Sequence, residues 1–191
     1  MFRTISLFLL ILLTLNLQGC SKIISMTTDG PLDQDEGERT TGSVIEDEVI
    51  ETKILVNLDK TDQQLALAHI SVTCYNGVVL LTGQVRDESL RQMAANIAND
   101  VRKVRKVHNE ISVSGATSMV ARSNDAWITT KLKSKMLIKP KIQGGRIKVV
   151  TENGTVYLLG LLTREEGARV AELAQQTSGV QRVVILFEYI S

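Results

Sequence analysis

Few residues of this 191-residue chain could take part in chemistry. It contains two cysteines and two histidines, namely Cys20, Cys74, His69 and His108. No two of them have the spacing of zinc ligands, and the histidines fall in different predicted elements. No glycine-rich phosphate loop is present, because Gly144-Gly145 fits a plain turn before a strand. We therefore expect a protein with no catalytic site, no metal and no cofactor.

Cys20 has the clearest chemical role of the four. It follows an apolar segment, residues 5–17, which has the length of a signal-peptide core and is shorter than the ~20 residues of a membrane-spanning helix. Leu17-Gln18-Gly19-Cys20 resembles a bacterial lipobox, whose cysteine is diacylated and becomes the new N-terminus. We therefore predict lipidation of Cys20. The resemblance also implies sorting to the outer membrane, because Ser21 rather than aspartate follows the cysteine.

Lipidation of Cys20 would leave Cys74 without a disulfide partner. Cys74 lies in an alternating run that places Ile70 and Val72 on the same face of a strand. This pattern favours a buried, inert thiol over a redox centre.

Two segments of the chain lack hydrophobic periodicity. Residues 25–43 are rich in glycine and acidic side chains and poor in apolar ones, which predicts a flexible acidic tether. Residues 115–123 carry glycine, alanine, serine and threonine and are predicted to be a linker. The whole chain has 22 basic and 21 acidic residues. This balance, together with the compartment, disfavours nucleic acid as a partner.

The remainder of the chain repeats itself in the same order, which indicates a tandem duplication. The matching pairs of segments are Ile50–Ile54 with Ile128–Leu132, Val72–Gly83 with Val149–Gly160, and Val104–Val107 with Val180–Val183.

Each copy is predicted to fold in the order αββαβ. A first amphipathic helix is followed by two β-branched runs joined by Asn-Gly, which favours a type I′ hairpin. A second helix and a closing strand complete the copy. The fold class is therefore α+β, with a three-stranded sheet and two helices on one face of it. The core positions of the two first helices are Ile50, Ile54 and Leu58 in the first copy and Ile128, Leu132 and Met136 in the second.

The duplicated helix, the Asn-Gly-x-Val-x-Leu-x-Gly hairpin and the Val-x-x-Val strand resemble the BON domain. The resemblance is most specific at residues 124–131 and 150–154. On this basis the chain is predicted to have five segments: a lipoprotein signal peptide (1–19), a lipid-anchored flexible acidic tether (20–43), BON domain 1 (44–114), a linker (115–123) and BON domain 2 (124–191).

The first helix of the second copy has an unusual outer face. At 100° per residue, Trp127, Lys131, Ser134 and Ile138 form a stripe well away from the core stripe, with Thr130 and Leu137 beside it. An exposed tryptophan, bulky aliphatic residues and nearby lysines suit an anionic membrane interface. The flanking basic residues are Lys133, Lys135, Lys139 and Lys141, and Arg146 and Lys148 follow in the next strand.

The first copy lacks these features. Its first helix carries Glu46-Asp47-Glu48 and has Val49 where the second copy has Trp127. We expect these carboxylates to repel phosphate groups, so any lipid contact is predicted in the second copy. The first copy would then orient the second or bind an envelope protein.

The BON resemblance implies phospholipid binding and a role in outer-membrane integrity, for example at the division site. The ligands expected on this basis are anionic lipids such as phosphatidylglycerol and cardiolipin. In dual-BON lipoproteins the contact surface is the first helix of the second domain. That surface corresponds here to Trp127, Ile128, Thr130, Lys131, Lys133, Ser134 and Leu137.

A different class of function fits the same residues. Trp127 could fill a seam between the domains or form a hot spot for a protein, and the lysines could be an ordinary solvated face. The chain would then be an adaptor or chaperone-like scaffold for envelope assembly, using sheet edges and the tether to recruit partners.

Overall fold

The computed structural model describes residues 37–115 and 117–191. The predicted signal peptide, the lipidation of Cys20 and most of the predicted tether lie outside these residues. Residues Glu36–Ser191 form one compact unit that contains both hydrophobic cores. A chain that starts at Ser21 therefore retains the whole unit.

The order αββαβ is present in both copies, as predicted. The first copy also has a short extra helix before its first strand, and Asp62 caps it. In the first copy the elements are α1 (Thr41–Thr61), α2 (Gln63–Leu67), β1 (His69–Tyr75), β2 (Val78–Val85), α3 (Glu88–Asn99) and β3 (Lys106–Val113). In the second copy they are α4 (Met119–Leu137), β4 (Ile147–Glu152), β5 (Thr155–Leu162), α5 (Arg164–Gln175) and β6 (Arg182–Tyr189), with a single 3-10 turn at Gly144–Arg146.

Each copy forms a three-stranded sheet in sequence order. The first two strands pair antiparallel, and the helix that follows them returns the chain so that the third strand pairs parallel with the second. The turns between the antiparallel strands are the predicted Asn-Gly pairs. Both residues of each turn have positive φ: 52° at Asn76, 74° at Gly77, 48° at Asn153 and 71° at Gly154. This is the geometry of a type I′ turn, which explains the choice of these two residues.

The helices pack on one face of each sheet through the predicted core residues. Ile50, Ile54 and Leu58 are buried against β1, β2 and α3. Ile128, Leu132 and Met136 occupy the same place in the second copy. The α+β fold with two helices on one face of the sheet is therefore confirmed.

Both long helices begin earlier than the domain boundaries drawn from the sequence. Thr40 caps α1 by accepting a hydrogen bond from the Ser43 amide, and Ser118 caps α4 in the same way for Ala121. The end of the segment predicted as a linker, residues 119–123, is therefore helical. Its small polar composition indicated a loop, but Ser118 supplies a cap that starts a helix.

The second face of each sheet packs against the other sheet. Tyr75 and Leu80 of the first copy meet Tyr157 and Leu159 of the second, and all four are at most 3% exposed. As a result β2 is buried along its whole length. Burial on both faces explains why β2 and β5 have continuous apolar runs instead of alternating ones.

Polar contacts surround this apolar contact. Lys148 Nζ lies 2.7 Å from Glu51 Oε1, and Arg105 forms an ion pair of 2.6 Å with Glu188. The Tyr75 hydroxyl donates to the Arg146 carbonyl oxygen at 2.7 Å. The domains therefore meet mainly through their sheets. The helix α1 adds one residue to the contact, Glu51, and its outer face and that of α4 stay outside it.

A buried aspartate ties each long helix to the hairpin turn of its own copy. Asp47 accepts hydrogen bonds from the amides of Asn76 (2.7 Å) and Gly77 (2.9 Å). Asp125 accepts the equivalent bonds from Asn153 and Gly154, both at 2.8 Å. Asp47 is therefore not one of the exposed carboxylates expected to repel phosphate groups, because it is buried and accepts hydrogen bonds from the turn amides.

Asp47 has two further partners. Arg39 pairs with it at 2.7 Å while lying over the Tyr75 ring, and the Cys74 thiol donates to it at 3.1 Å. Burial by itself raises the pKa of Asp47. The hydrogen bonds from Gly77, Cys74, Asn76 and Arg39 outweigh this and hold the pKa below its ordinary value.

We predict that Asp47→Ala lowers the free energy of unfolding by about 3 kcal/mol and Asp125→Ala by about 2 kcal/mol, because buried donors lose a charged acceptor. Urea unfolding at pH 7 measures both. Since the folded-state pKa of Asp47 is depressed, its contribution is full above its ordinary pKa of 3.8 and is lost as the pH falls through the lower folded value. The Asp47→Ala deficit should therefore shrink near pH 3. Variants within about 0.5 kcal/mol of the parent at pH 7 would contradict the role of the clamp.

Candidate functional site

The outer face of α4 carries most of the predicted contact residues. Trp127 is 63% exposed and Leu137 is 82% exposed. Thr130, Lys133 and Ser134 are exposed as well. These side chains point away from the core residues on the opposite side of the same helix, so they can contact a large surface without any change in the fold.

Ile128 is a correction to the predicted contact set. Its side chain is fully buried in the core of the second domain and packs over Gly179, where an added Cβ would lie 2.9 Å from Ile128 Cγ1. It cannot reach a membrane while the domain is folded. The helical projection had already placed Ile128 on the core stripe, and only the family resemblance placed it on the contact surface.

The lysines of α4 lie on two sides of the exposed stripe. Lys131 is half-buried and its ammonium group contacts the Ser178 hydroxyl, beyond the end of α5. Lys135 reaches the Thr177 hydroxyl at 3.2 Å. Lys133 projects into solvent on the other side. These partners of Lys131 and Lys135 are neutral, and neither lysine forms an ion pair with any residue that the structure describes.

The apolar part of this face is longer than predicted. Met119 and Val120, in the first turn of α4, are 74% and 79% exposed, and Ile138 at the other end is 76% exposed. The 19-residue helix is about 28 Å long. Val120 precedes Trp127 by seven residues, so helical spacing could have revealed it if the helix start at Ser118 had been recognised. We call Met119, Val120, Trp127, Leu137 and Ile138 the apolar stripe of α4.

Trp127 does not fill a seam between the domains. The domain contact is formed by Tyr75, Leu80, Tyr157 and Leu159, on the opposite side of the second sheet from α4. The exposure of Trp127 therefore contradicts the interdomain-filler interpretation and leaves the side chain available for a partner.

The matching helix of the first domain has a different outer face. Val49 occupies the position of Trp127, and Ile45 and Val56 lie on the same face. Glu46 pairs with Lys103, and Glu48 is exposed. The result is a shorter aliphatic face on which Lys53 matches Lys131, whereas Lys133 and Lys135 have no counterparts.

The histidines are not assembled into a site. His69 begins β1 and His108 lies in β3, on the two edges of the first sheet. Burial and the nearby Lys106 lower the pKa of His108. Between residues 37 and 191, with residue 116 excepted, no group of three or more His, Cys, Asp or Glu could hold a metal. Over the same residues, no helix is both long and apolar enough to cross a membrane.

Cys74 is fully buried beneath α1 and packs in the first core. Burial raises the pKa of its thiol far above the ordinary value. The hydrogen bond to Asp47, the Asp47 charge and the Glu51 charge raise it further. A thiolate is therefore strongly disfavoured, as expected for a structural cysteine.

We predict that Cys74 resists thiol reagents at pH 8 in the folded chain that starts at Ser21, where it is the only cysteine. Unfolding in guanidinium should make it react completely. The measurement is the labelled fraction over time with an aromatic disulfide reagent. Comparable labelling rates before and after unfolding would contradict the assignment.

Comparison with known proteins supports the two-domain architecture. The BON domain model matches residues 46–115 and 124–190. The chain is 38% identical over 152 residues to the outer membrane lipoprotein DolP of Haemophilus influenzae. The aligned region covers 80% of this chain and 79% of that protein. It is 37% identical over 152 residues to the 21 kDa hemolysin of Actinobacillus pleuropneumoniae, with 80% and 78% covered.

Among solved structures, one similar fold is the C-terminal domain of CdsD, a structural protein of the type III secretion system of Chlamydia trachomatis. The alignment covers 76% of this chain and 67% of the CdsD chain. The TM-score is 0.30 and the identity 14%. The family model, in contrast, spans both copies of the duplicated unit. The chain therefore belongs to the BON-domain family and carries two copies of the domain.

Proposed function

We propose that the chain is an outer-membrane lipoprotein on the periplasmic face, anchored through Cys20, whose second BON domain docks on anionic phospholipid through the outer face of α4. The observation that carries the proposal is the exposure of Trp127 in the middle of the apolar stripe of α4, between basic flanks. The ligands would be phosphatidylglycerol and cardiolipin. With the buried Ile128 removed, the proposed contact residues are Trp127, Thr130, Lys131, Lys133, Ser134 and Leu137.

The chemistry of α4 favours a lipid surface. Trp127 suits the headgroup region, with apolar side chains at both ends of the helix to enter the acyl boundary. Each basic residue near an anionic surface adds ~1 kcal/mol of attraction. In the described part of the chain no ion pair neutralises Lys131, Lys133, Lys135, Lys139 or Lys141.

The compartment rests on similarity. The chain resembles a protein named an outer membrane lipoprotein over four-fifths of its length, and its N-terminus resembles a lipobox. Because acyl chains would already hold the protein on the membrane, the α4 contact would select lipid composition or location. A role in outer-membrane integrity, for example at the division site, would follow from that selection.

The first domain suggests a second activity. The α1 residues Ile45, Val49 and Val56 form an exposed aliphatic face with fewer lysines around it than α4 has, which fits a protein partner better than an anionic membrane. An adaptor role in envelope assembly is therefore the second candidate. It is compatible with lipid docking because the two helices belong to different domains.

The fluorescence of Trp127 tests the proposal directly, because it is the only tryptophan. In buffer, the emission of the chain from Ser21 should be that of a solvated indole. Vesicles of phosphatidylglycerol and cardiolipin should shift it to the blue, and phosphatidylcholine vesicles should not. Emission that is already blue in buffer, or that anionic vesicles leave unchanged, would favour the adaptor.

Substitutions on α4 test which surface is used, and α1 offers matched controls. We predict that Trp127→Ala weakens binding to anionic vesicles about tenfold and Lys131→Glu roughly 30-fold, the latter because one charge is removed and the opposite one added. The equivalent changes Val49→Ala and Lys53→Glu should have little effect. Flotation measures binding, and circular dichroism confirms folding.

Unchanged binding in both α4 variants would refute the assigned surface. Ionic strength separates the two candidate functions further, because docking through lysines weakens steeply as salt rises and an apolar protein contact does not.

A further inference from the structure

A cleft in the second domain lies next to the C-terminal end of α4. It has a volume of about 410 Å³, within the ~300–1,000 Å³ common for ligand pockets. One wall is the segment that leaves α4, and the other is the exposed side of α5.

The cleft combines cations with an apolar floor. Lys139, Lys141 and Arg169 line it together with one acidic residue, Glu172, and Leu173 and Ile142 supply apolar surface. Arg169 pairs with Glu165 one turn away, and Glu172 accepts a hydrogen bond from Gln176 at 3.0 Å. Neither Lys139 nor Lys141 forms an ion pair with any residue that the structure describes. The lining therefore has an excess of positive charge.

The first domain lacks the equivalent cations. The helix α3 of the first domain corresponds to α5 of the second. When the two are aligned at their N-caps, Asp87 and Thr163, Met93 occupies the position of Arg169. When α1 and α4 are aligned at their matching core residues, Thr61 and Gln63 occupy the positions of Lys139 and Lys141. The basic lining is therefore specific to the copy whose first helix carries Trp127.

The cleft is continuous with the surface on which α4 would dock. Lys139 follows Ile138 of the apolar stripe directly in the chain. On the other wall, the backbone carbonyl oxygen of Gln176 accepts a long hydrogen bond of 3.5 Å from Lys135 Nζ. A membrane in contact with Leu137 and Ile138 would present its headgroups to the mouth of this cleft.

We propose that the cleft is a headgroup site for one anionic phospholipid of the membrane on which α4 docks. Lys139, Lys141 and Arg169 hold its phosphate, and Ile142 and Leu173 contact its glycerol backbone. An ammonium group binds phosphate as a point charge and a guanidinium through paired donors. A free phosphate would gain nothing from the apolar floor, which is why a lipid is the occupant. This inference rests on the proposed function and adds a stoichiometric site to it.

The test uses dihexanoyl phosphatidylglycerol below its micelle concentration, so that single lipids and no membrane are present. Backbone amide shifts are followed by NMR on the chain from Ser21. We expect shifts at Lys141, Ile142 and Leu173 that saturate at one lipid per chain. Lys139→Gln/Lys141→Gln should weaken this binding about 30-fold. The control Lys53→Gln/Lys60→Gln, which removes the same charge from exposed positions on α1, should leave it unchanged.

Two further probes identify the ligand class. Dihexanoyl phosphatidylcholine should not shift these amides, because its headgroup has no net charge. Glycerol phosphate should shift them much more weakly than the lipid. Equal shifts with either probe, or none with phosphatidylglycerol, would overturn the headgroup site.

Trp127→Ala separates this inference from the proposed function. It should weaken binding to anionic vesicles about tenfold, as predicted above, and keep the 1:1 binding of the monomeric lipid. Vesicle binding by the unmodified chain without amide shifts at the cleft would overturn the headgroup site alone. Amide shifts at the cleft without vesicle binding would overturn α4 docking alone.

Discussion

The contact between the two sheets determines which surfaces of the molecule are left for binding. A three-stranded sheet with helices on one face still exposes its other face, and here Tyr75, Leu80, Tyr157 and Leu159 cover that face in both domains at once. Because the sheets meet in the centre, the helices lie on the outside. Trp127 is thus exposed because the domains meet through the sheet residues and not through α4.

Each long helix has two sides with separate tasks. In α4, Leu132 and Met136 complete the core and Asp125 holds the hairpin turn, while Trp127 and Leu137 face outward. The inner side is anchored both by apolar packing and by a charged group with satisfied partners. The outer stripe is therefore displayed on a rigid support, which suits a contact that must present several side chains to a flat surface.

The sequence predicted what local patterns encode and missed what distant contacts decide. Helical spacing identified Ile50 and Ile54, and the Asn-Gly pairs identified the turns, because these signals lie within a few residues. The role of Asp47 and the sheet contact join residues far apart in the chain. The run Val78–Leu81 did carry a signal, since a strand without alternation is buried on both faces.

For the candidate site, Trp127 and Leu137 followed from helical geometry, whereas Ile128 entered only by family resemblance. The core-face spacing of Ile128, shared with Leu132 and Met136, was the better guide. Met119 and Val120 were missed because the composition of residues 115–123 suggests a loop and hides the cap at Ser118. The cations of the cleft come from two distant segments, which no local pattern could have joined.

The outward position of both long helices also bears on how the duplicated copies could diverge. A substitution on the outer side of α1 or α4 touches neither core nor the sheet contact, so mutations there are close to neutral for folding. Substitutions at Tyr75 or Tyr157, in contrast, must be compensated in the opposite copy. Each copy can therefore carry its own outer surface without a cost to the shared centre, and here one helix is basic and aromatic while its twin is aliphatic.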